Sequence, residues 1–301
     1  MIERPPVRPA ASYDEALARV QRFKMLDDAS ILPRAYTYLL DHGRRTPFAV
    51  VLLHGLTNHP GQYVEFAPLV HAAGHNVFVP RLPEQGDRNR MTTRLSKLTA
   101  EALVGSAGEA LDIACGLGER VVMLGISTSG ALCAYFAQYR GEIARAIPVN
   151  AAIALLKFPY AMSAWIGNAL LKLPNVFVWW DPQNRGAQLP STGYPRFPTH
   201  GLMQAMRVAD DVFARSRTEA PLAQSSVFVT NKLDPAVNNV VADAVAASWN
   251  RLRPGAAQTF EFTDLPVNHD IIDPENACPR TDLVYPKLLE LISATAQNAA
   301  Q

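Results

Sequence analysis

Runs of apolar residues that suit strands alternate along this chain with segments whose apolar positions have helical spacing. The clearest strand is the continuous apolar run at 48–53, because a strand buried on both faces of a parallel sheet needs no polar positions. The pattern predicts strands at 34–40, 48–53, 76–80, 120–125, 144–150, 226–230 and 258–263. It predicts helices at 14–28, 62–73, 98–117, 128–139, 236–249 and 282–293. Strands that alternate with helices form βαβ units, so we expect an α/β fold with a doubly wound, mostly parallel sheet.

The alternation is interrupted at residues 151–221, a segment far longer than the usual connection between two elements. It contains an apolar, helix-like stretch at 155–173, a loop with several prolines and a predicted helix at 199–217. We interpret 151–221 as a cap inserted over the carboxyl edge of the sheet. Residues 1–150 and 222–301 then form the α/β core.

Composition and charge narrow the possible functions. Hydrophobic residues make up 49% of the chain and the formal net charge is +1. Since no basic stripe with interleaved aromatic residues is present, we expect no nucleic-acid partner. The chain shows neither a secretory signal pattern nor about eighteen consecutive apolar residues, so we expect no membrane span. Three widely spaced cysteines suggest neither a disulfide framework nor a zinc site, which favours a cytoplasmic protein.

The most informative motif joins the strand predicted at 120–125 to the following helix. Its sequence is Gly-Ile-Ser-Thr-Ser-Gly at 125–130. A serine on so sharp a strand-to-helix turn is held in strained backbone geometry, with its hydroxyl clear of the sheet. Ser129 stands where the usual Gly-x-Ser-x-Gly pattern has its last glycine. Ser127 is therefore the candidate nucleophile, and the alternative is an ordinary turn with a capping serine.

A serine nucleophile needs a base, and the base needs an acid that orients it. Asp234 and His269 each follow the carboxyl end of a predicted strand, where ligands sit in open α/β sheets. The chain order serine, aspartate, histidine is the one that this type of sheet uses. Two rivals, Asp270 and Asp273, are too close to the histidine in sequence to orient it. We therefore predict a triad of Ser127, His269 and Asp234.

Acyl transfer also requires backbone N–H donors aimed at the developing oxyanion. We expect one donor at Thr128, directly after the candidate nucleophile. The second should come from the loop His-Gly-Leu-Thr at 54–57, at Leu56. We interpret His54 as a structural residue. On its own the His-Gly pair fits a plain strand-terminating turn equally well.

Taken together, these motifs resemble the α/β-hydrolase superfamily over residues 47–293. The stretch Pro-Arg-Leu-Pro-Glu-Gln-Gly at 80–86 is similar to the Pro-x-Leu-Pro-x-x-Gly segment of its bacterial carboxylesterase and monoacylglycerol-lipase branch. The resemblance implies a serine hydrolase that cleaves a small-molecule ester through an acyl-enzyme. It also implies that neither a metal ion nor an organic cofactor takes part.

The predicted cap is rich in aromatic residues, namely Phe158, Tyr160, Trp165, Phe177, Trp179 and Trp180. A cap over the carboxyl edge of the sheet must also roof the site, so we expect the three tryptophans to bind substrate in an apolar acyl pocket. Short to medium acyl chains would fit such a pocket. The alternative is that these rings only attach the cap to the core.

Other functions are compatible with the same triad. An aminopeptidase would need a carboxylate in the cap for the substrate amine, and Asp181, Asp210 and Asp211 are available. An amidase or an acyltransferase would use the same nucleophile. A ligand-binding receptor on a hydrolase scaffold is the alternative from a different functional class.

Overall fold

The computed structural model of the protein describes residues 2–155, 165–167, 169–183, 185, 193–276 and 278–297. Its strands are β1 (Tyr38–Leu40), β2 (Thr46–Leu53), β3 (Asn76–Val79), β4 (Gly118–Ile126), β5 (Ile143–Val149), β6 (Phe177–Trp179), β7 (Arg196–Pro198), β8 (Ser225–Asn231) and β9 (Ala257–Phe262). Seven strands form one sheet in the order β1-β3-β2-β4-β5-β8-β9, and β6 and β7 form a separate antiparallel ribbon. Within the large sheet, β1 alone runs antiparallel to its neighbour. The predicted α/β fold with a mostly parallel sheet is confirmed.

Helices cover both faces of this sheet. They are α1 (Tyr13–Lys24), α2 (Phe66–Ala72), α3 (Ala100–Leu117), α4 (Thr128–Tyr139), α5 (Thr199–Ser216), α6 (Asn239–Leu252) and α7 (Thr281–Gln297). Helices α1, α3, α4 and α6 contribute to the buried cluster on one face, and α2 and α7 to the cluster on the other. Within the ranges given above, no helix is both long and apolar enough to cross a membrane.

The stretch 48–53 of β2 shows why a central strand can be apolar without interruption. Val51 and Leu53 pack into the cluster on one face, whereas Val50 and Leu52 pack into the cluster on the other. Successive side chains of a strand point to opposite faces, and all four of these are fully buried. Both faces of this stretch are therefore covered, and each of its side chains is apolar.

The strand predicted at 34–40 is wrong in its first half. Residues Pro33–Ala35 form a 3-10 turn, and β1 begins only at Tyr38. Proline fixes φ near −65°, which suits the first position of a helical turn. The alternating pattern of this segment is thus produced by a turn followed by a short edge strand.

Residues 151–221, which we interpreted as an inserted cap, lie between β5 and β8, and their described elements are the β6–β7 ribbon and α5. Residues 156–164, 168, 184 and 186–192 lie outside the described residues. Most of the helix-like stretch predicted at 155–173 falls among them. Helix α5 packs against α4, and its Met203 and Met206 share a buried cluster with Ala131 near the start of α4. The segment 151–221 is therefore in contact with the first turns of the helix that follows the candidate nucleophile.

Candidate active site

Ser127 occupies a tight turn between β4 and α4. Its backbone has φ 60° and ψ −121°, a conformation that residues other than glycine rarely adopt. The turn needs its two flanking glycines, because a Cβ at Gly125 would lie 2.5 Å from the Ser129 carbonyl oxygen and one at Gly130 would lie 2.8 Å from Ala151 Cα. The Ser127 N–H donates to the carbonyl of Val149 at 2.9 Å. These contacts fix the serine at the carboxyl edge of the sheet.

Ser129 has a role of its own at the position where the usual motif has glycine. It is fully buried, and its hydroxyl donates to the backbone carbonyl of His54. This bond ties the first turn of α4 to the end of β2. Ser129 therefore connects the turn that carries the candidate nucleophile with the loop that carries the predicted oxyanion donor.

The three predicted triad residues lie in one hydrogen-bonded chain. His269 Nε2 is 2.8 Å from Ser127 Oγ, and His269 Nδ1 is 2.7 Å from Asp234 Oδ2. The Asp234 side chain is fully buried, whereas 24% of the His269 side chain is exposed. In this geometry one ring nitrogen can take a proton from the serine while the other is held by the carboxylate.

Asp234 is fixed by backbone donors as well as by the histidine. Its Oδ1 accepts from the Ala236 N–H at 2.7 Å and from the Val237 N–H at 3.1 Å. These bonds form a turn after β8, so α6 begins at Asn239 and not at residue 236 as the sequence pattern predicted. Each carboxylate oxygen thus has its own partners, and only Oδ2 faces His269.

Two buried asparagines that the sequence analysis missed hold the loop of His269. Asn231 Nδ2 donates to the carbonyls of Pro266 at 3.0 Å and Asn268 at 2.7 Å, and Asn150 Nδ2 donates to the carbonyl of His269 at 2.7 Å. The Asn231 N–H in turn donates to Asn150 Oδ1. Both asparagines lie at the carboxyl ends of strands, and this position is the signal that could have identified them.

The loop after β2 lies against the candidate nucleophile. A Cβ at Gly55 would be 3.7 Å from Ser127 Cβ, which is an ordinary van der Waals distance, so the loop runs directly beside the serine. Within the part of the chain that the structure describes, neither the Leu56 nor the Thr128 backbone N–H donates to a protein acceptor. Both amides are thus available to an oxyanion next to Ser127.

His54 is buried at the start of this loop, and among the described residues its ring bonds to backbone groups. Its Nε2 accepts from the Leu82 N–H at 3.0 Å, and its Nδ1 lies 3.0 Å from the Gly55 carbonyl. Burial lowers the pKa of His54 to about 3, so the ring is neutral at physiological pH. The interpretation of His54 as a structural residue agrees with these contacts.

A model of the alpha/beta hydrolase family matches residues 50–284. The chain belongs to this family. Among its relatives is the thermostable monoacylglycerol lipase of Bacillus sp. (strain H-257), which is 22% identical over 208 residues, or 69% of this chain and 78% of the lipase.

Solved structures resemble this α/β hydrolase over most of its length. A chain from the metagenome-derived lipolytic enzymes LipS and LipT has a TM-score of 0.67 and 17% identity, covering 88% of this chain and 99% of that one. The monoglyceride lipase of Saccharomyces cerevisiae has a TM-score of 0.64 and 14% identity, covering 86% and 91%. At these identities the likeness shows the α/β-hydrolase fold.

The two rival aspartates of this α/β hydrolase have other partners. Asp270 accepts from Gln62 Nε2 at 2.6 Å, and Asn58 Nδ2 bridges Asp270 and Asp273 at 3.2 and 3.0 Å. Burial and the neighbouring charge of Asp270 raise the pKa of Asp273 to about 6. Gln62 also accepts from the Gly55 N–H, so this network connects the loop after β2 with the loop that carries the histidine.

The predicted substrate-binding tryptophans of this α/β hydrolase have different surroundings. Trp165 is 72% exposed, and the Trp179 ring is half-buried beneath the Arg185 guanidinium. Trp180 is 46% exposed, but its indole N–H donates to Thr57 Oγ1 at 3.0 Å. Phe158 and Tyr160 lie outside the described residues. Trp180 therefore contacts the loop beside Ser127 through its hydrogen bond to Thr57.

Asp211, one of the carboxylates that would suit an aminopeptidase, is held by partners within the protein. Asp211 is buried, its Oδ2 accepts from Arg215 at 2.8 Å and its Oδ1 accepts from the backbone N–H of Ile2. A substrate amine would have to displace both partners.

The ranges that the structure describes contain no group of three or more His, Cys, Asp and Glu residues that could hold a metal ion.

Proposed function

We propose that this α/β hydrolase is a serine esterase that cleaves small carboxylic esters through an acyl-enzyme intermediate. The observation that carries the proposal is the hydrogen-bonded chain Ser127–His269–Asp234, in which both bonds are shorter than 3 Å. The two open amides of Leu56 and Thr128 beside Ser127 support it further. The likeness to lipases supports an ester as the substrate.

In the proposed mechanism Ser127 Oγ attacks the ester carbonyl while His269 Nε2 takes the hydroxyl proton. Asp234 keeps the imidazole in the required tautomer and stabilises the imidazolium. The Leu56 and Thr128 amides bind the oxyanion of the tetrahedral intermediate. Collapse of the intermediate breaks the bond to the alcohol, which leaves with the proton from His269. Water, activated by the same histidine, then releases the acid and restores Ser127.

We also propose that the insertion at 151–221 is a cap that covers the site and contributes to the acyl pocket. Contacts made next to the β6–β7 ribbon support this role, since Trp180 and Tyr194 both donate to Thr57 in the loop beside the nucleophile. Residues 1–150 and 222–301 form the core in this division. A cap with apolar rings near the site favours uncharged acyl groups of short to medium length.

Labelling with a fluorophosphonate tests the proposed function, because this probe phosphonylates a serine that an adjacent base has activated. We expect one adduct, on the peptide that contains Ser127, together with turnover of p-nitrophenyl butyrate. Heat-denatured protein should give no adduct, since the activation depends on the folded geometry. An adduct on another residue, or native protein that neither reacts nor turns over ester, would remove the basis of the proposal.

A series of p-nitrophenyl esters tests the acyl pocket. Each methylene that becomes buried contributes about 0.8 kcal/mol, which limits the gain in kcat/KM to about fourfold per methylene. We expect kcat/KM to rise from acetate towards acyl chains of about four to eight carbons and then to level off, and we expect aminoacyl anilides to be poorer substrates. A flat profile, or anilides as the best substrates, would contradict an apolar acyl pocket.

A further inference from the structure

Thr57, in the loop that carries the proposed oxyanion donor Leu56, has a strained backbone. Its φ is 68°, in the left-handed region that a β-branched residue rarely adopts. Such a conformation persists only where the surrounding contacts determine it. The residues that contact Thr57 therefore also determine where the neighbouring amide of Leu56 points.

The insertion supplies two of these contacts. Trp180 Nε1 donates to Thr57 Oγ1 at 3.0 Å, and the Tyr194 N–H donates to the Thr57 carbonyl at 2.7 Å. The threonine hydroxyl itself donates to the carbonyl of Leu56 at 2.5 Å. One hydrogen-bonded path thus runs from the indole of Trp180 through Thr57 to the peptide group that follows the Leu56 amide.

Trp180 is itself held firmly, as a residue that positions another must be. Its ring packs on Phe197 with the ring centroids 4.3 Å apart, and Phe197 is only 8% exposed. Its backbone N–H donates to the carbonyl of Pro195 at 3.2 Å. The indole N–H is therefore presented to Thr57 from a ring that is anchored on the β6–β7 ribbon.

We propose that Trp180 is a positioning residue for the oxyanion hole, which acts through Thr57 on the Leu56 amide. The inference rests on the proposed esterase function and assigns the indole N–H a role different from lining an acyl pocket. An oxyanion-hole donor must lie 2.7–3.1 Å from the oxyanion, so a small shift of the loop weakens transition-state binding without changing ground-state binding. The signature is a loss in kcat at constant KM.

Trp180→Phe removes the indole N–H and keeps an aromatic ring to pack on Phe197. We expect kcat for p-nitrophenyl butyrate to fall about tenfold while KM changes by less than about twofold, because the donor is displaced and not deleted. The inhibition constant of a trifluoromethyl ketone, whose adduct with the serine carries an oxyanion, should rise by the same factor as kcat falls. Loss of folded protein alone would not make the inhibition constant rise by the factor by which kcat falls.

Trp249→Phe is the matched control for this substitution. Trp249 is fully buried against Phe228, and its indole N–H has no partner within the described part of the chain. The same atoms are removed without the loss of a hydrogen bond. We expect a lower Tm but an unchanged kcat and an unchanged inhibition constant for the ketone, so destabilisation by itself is separated from positioning.

A second pair of variants tests the hydrogen-bonded path at Thr57, the residue that accepts from Trp180. Thr57→Val removes the hydroxyl that accepts from Trp180 and donates to Leu56, and it should reproduce the tenfold loss, whereas Thr57→Ser should keep near-normal kcat. The double variant with Trp180→Phe should lose little more than Thr57→Val alone, since both act through one contact. These variants test the proposal even where Trp180→Phe does not fold.

The outcomes separate this inference from the proposed function. Wild-type protein that is not labelled at Ser127 and does not turn over ester contradicts the esterase function itself. If the wild type is active and Trp180→Phe raises KM with kcat and the inhibition constant unchanged, Trp180 lines the substrate pocket and the positioning role is wrong. Independent, multiplicative losses in the double variant would also overturn it.

Discussion

Replacing Ser127 by alanine should lower kcat for p-nitrophenyl butyrate by at least ~10³-fold, because the acyl-enzyme can no longer form. The folded structure should persist. Alanine keeps the Cβ that the backbone at φ 60° already accommodates, and the substitution removes only the 2.8 Å bond to His269 Nε2. Steady-state kinetics together with a thermal melt measure both parts of this prediction.

Ser129→Ala is the natural control, because Ser129 is the other serine of the motif. Its hydroxyl donates to the His54 carbonyl and not to the triad, so this variant should still be labelled at Ser127 by the fluorophosphonate. It should be less stable by about 1–3 kcal/mol, the cost of leaving a buried polar group without its partner. Near-normal turnover in Ser127→Ala, or loss of labelling in Ser129→Ala alone, would exchange the roles of the two serines.

Much of the fold could be predicted because its central strands are buried on both faces. In β4 the apolar run, the sharp turn after it and the following helix α4 all lie next to one another in the sequence. Local rules fail where a single residue overrides the pattern. Pro33 converted the start of one predicted strand into a 3-10 turn, and the carboxylate of Asp234 delayed the start of α6.

The candidate site also has residues that could be predicted from the sequence and residues that could not. The order of Ser127, Asp234 and His269 along the chain, each after a strand, was enough to predict that they meet. Asn150 and Asn231 could not be chosen by pattern, because the carbonyls that they bind are 119 and 35 to 37 residues away. The direction of the Trp180 N–H depends likewise on contacts across 123 residues.

Backbone strain marks the edge of the sheet at which these residues meet. Among the described residues, the non-glycine positions with positive φ are Thr57, Glu84, Ser127 and Asn150. They follow the carboxyl ends of β2, β3, β4 and β5 in turn. Such conformations cost free energy and cluster at functional sites, where surrounding contacts maintain them. Their common location supports this edge as the active site independently of any motif.

The substitution Asp234→Asn neutralises the proposed orienting acid, and Asp264→Asn is its control. Asp264 is an exposed residue in the same loop as His269, and its only side-chain bond within the described residues is to Thr263. Loss of its charge should change kcat/KM by less than about twofold, since exposed charges are screened by solvent. An equal effect of the two variants would mean that the loop responds to charge alone.

Asp234→Asn should lower kcat by ~10⁴-fold at neutral pH, with KM and the fold preserved. The backbone N–H groups of Ala236 and Val237 both point at Oδ1, so the new amide must place its carbonyl oxygen there. Its NH₂ group then faces His269 Nδ1, which has to accept, and the single ring proton moves to Nε2. An Nε2–H donates to Ser127 Oγ and cannot remove its proton, so the base is lost although every heavy atom stays in place. Steady-state kinetics and a structure of the variant test this account, and a variant that retains more than about a tenth of wild-type kcat would show that Asp234 does not set the tautomer.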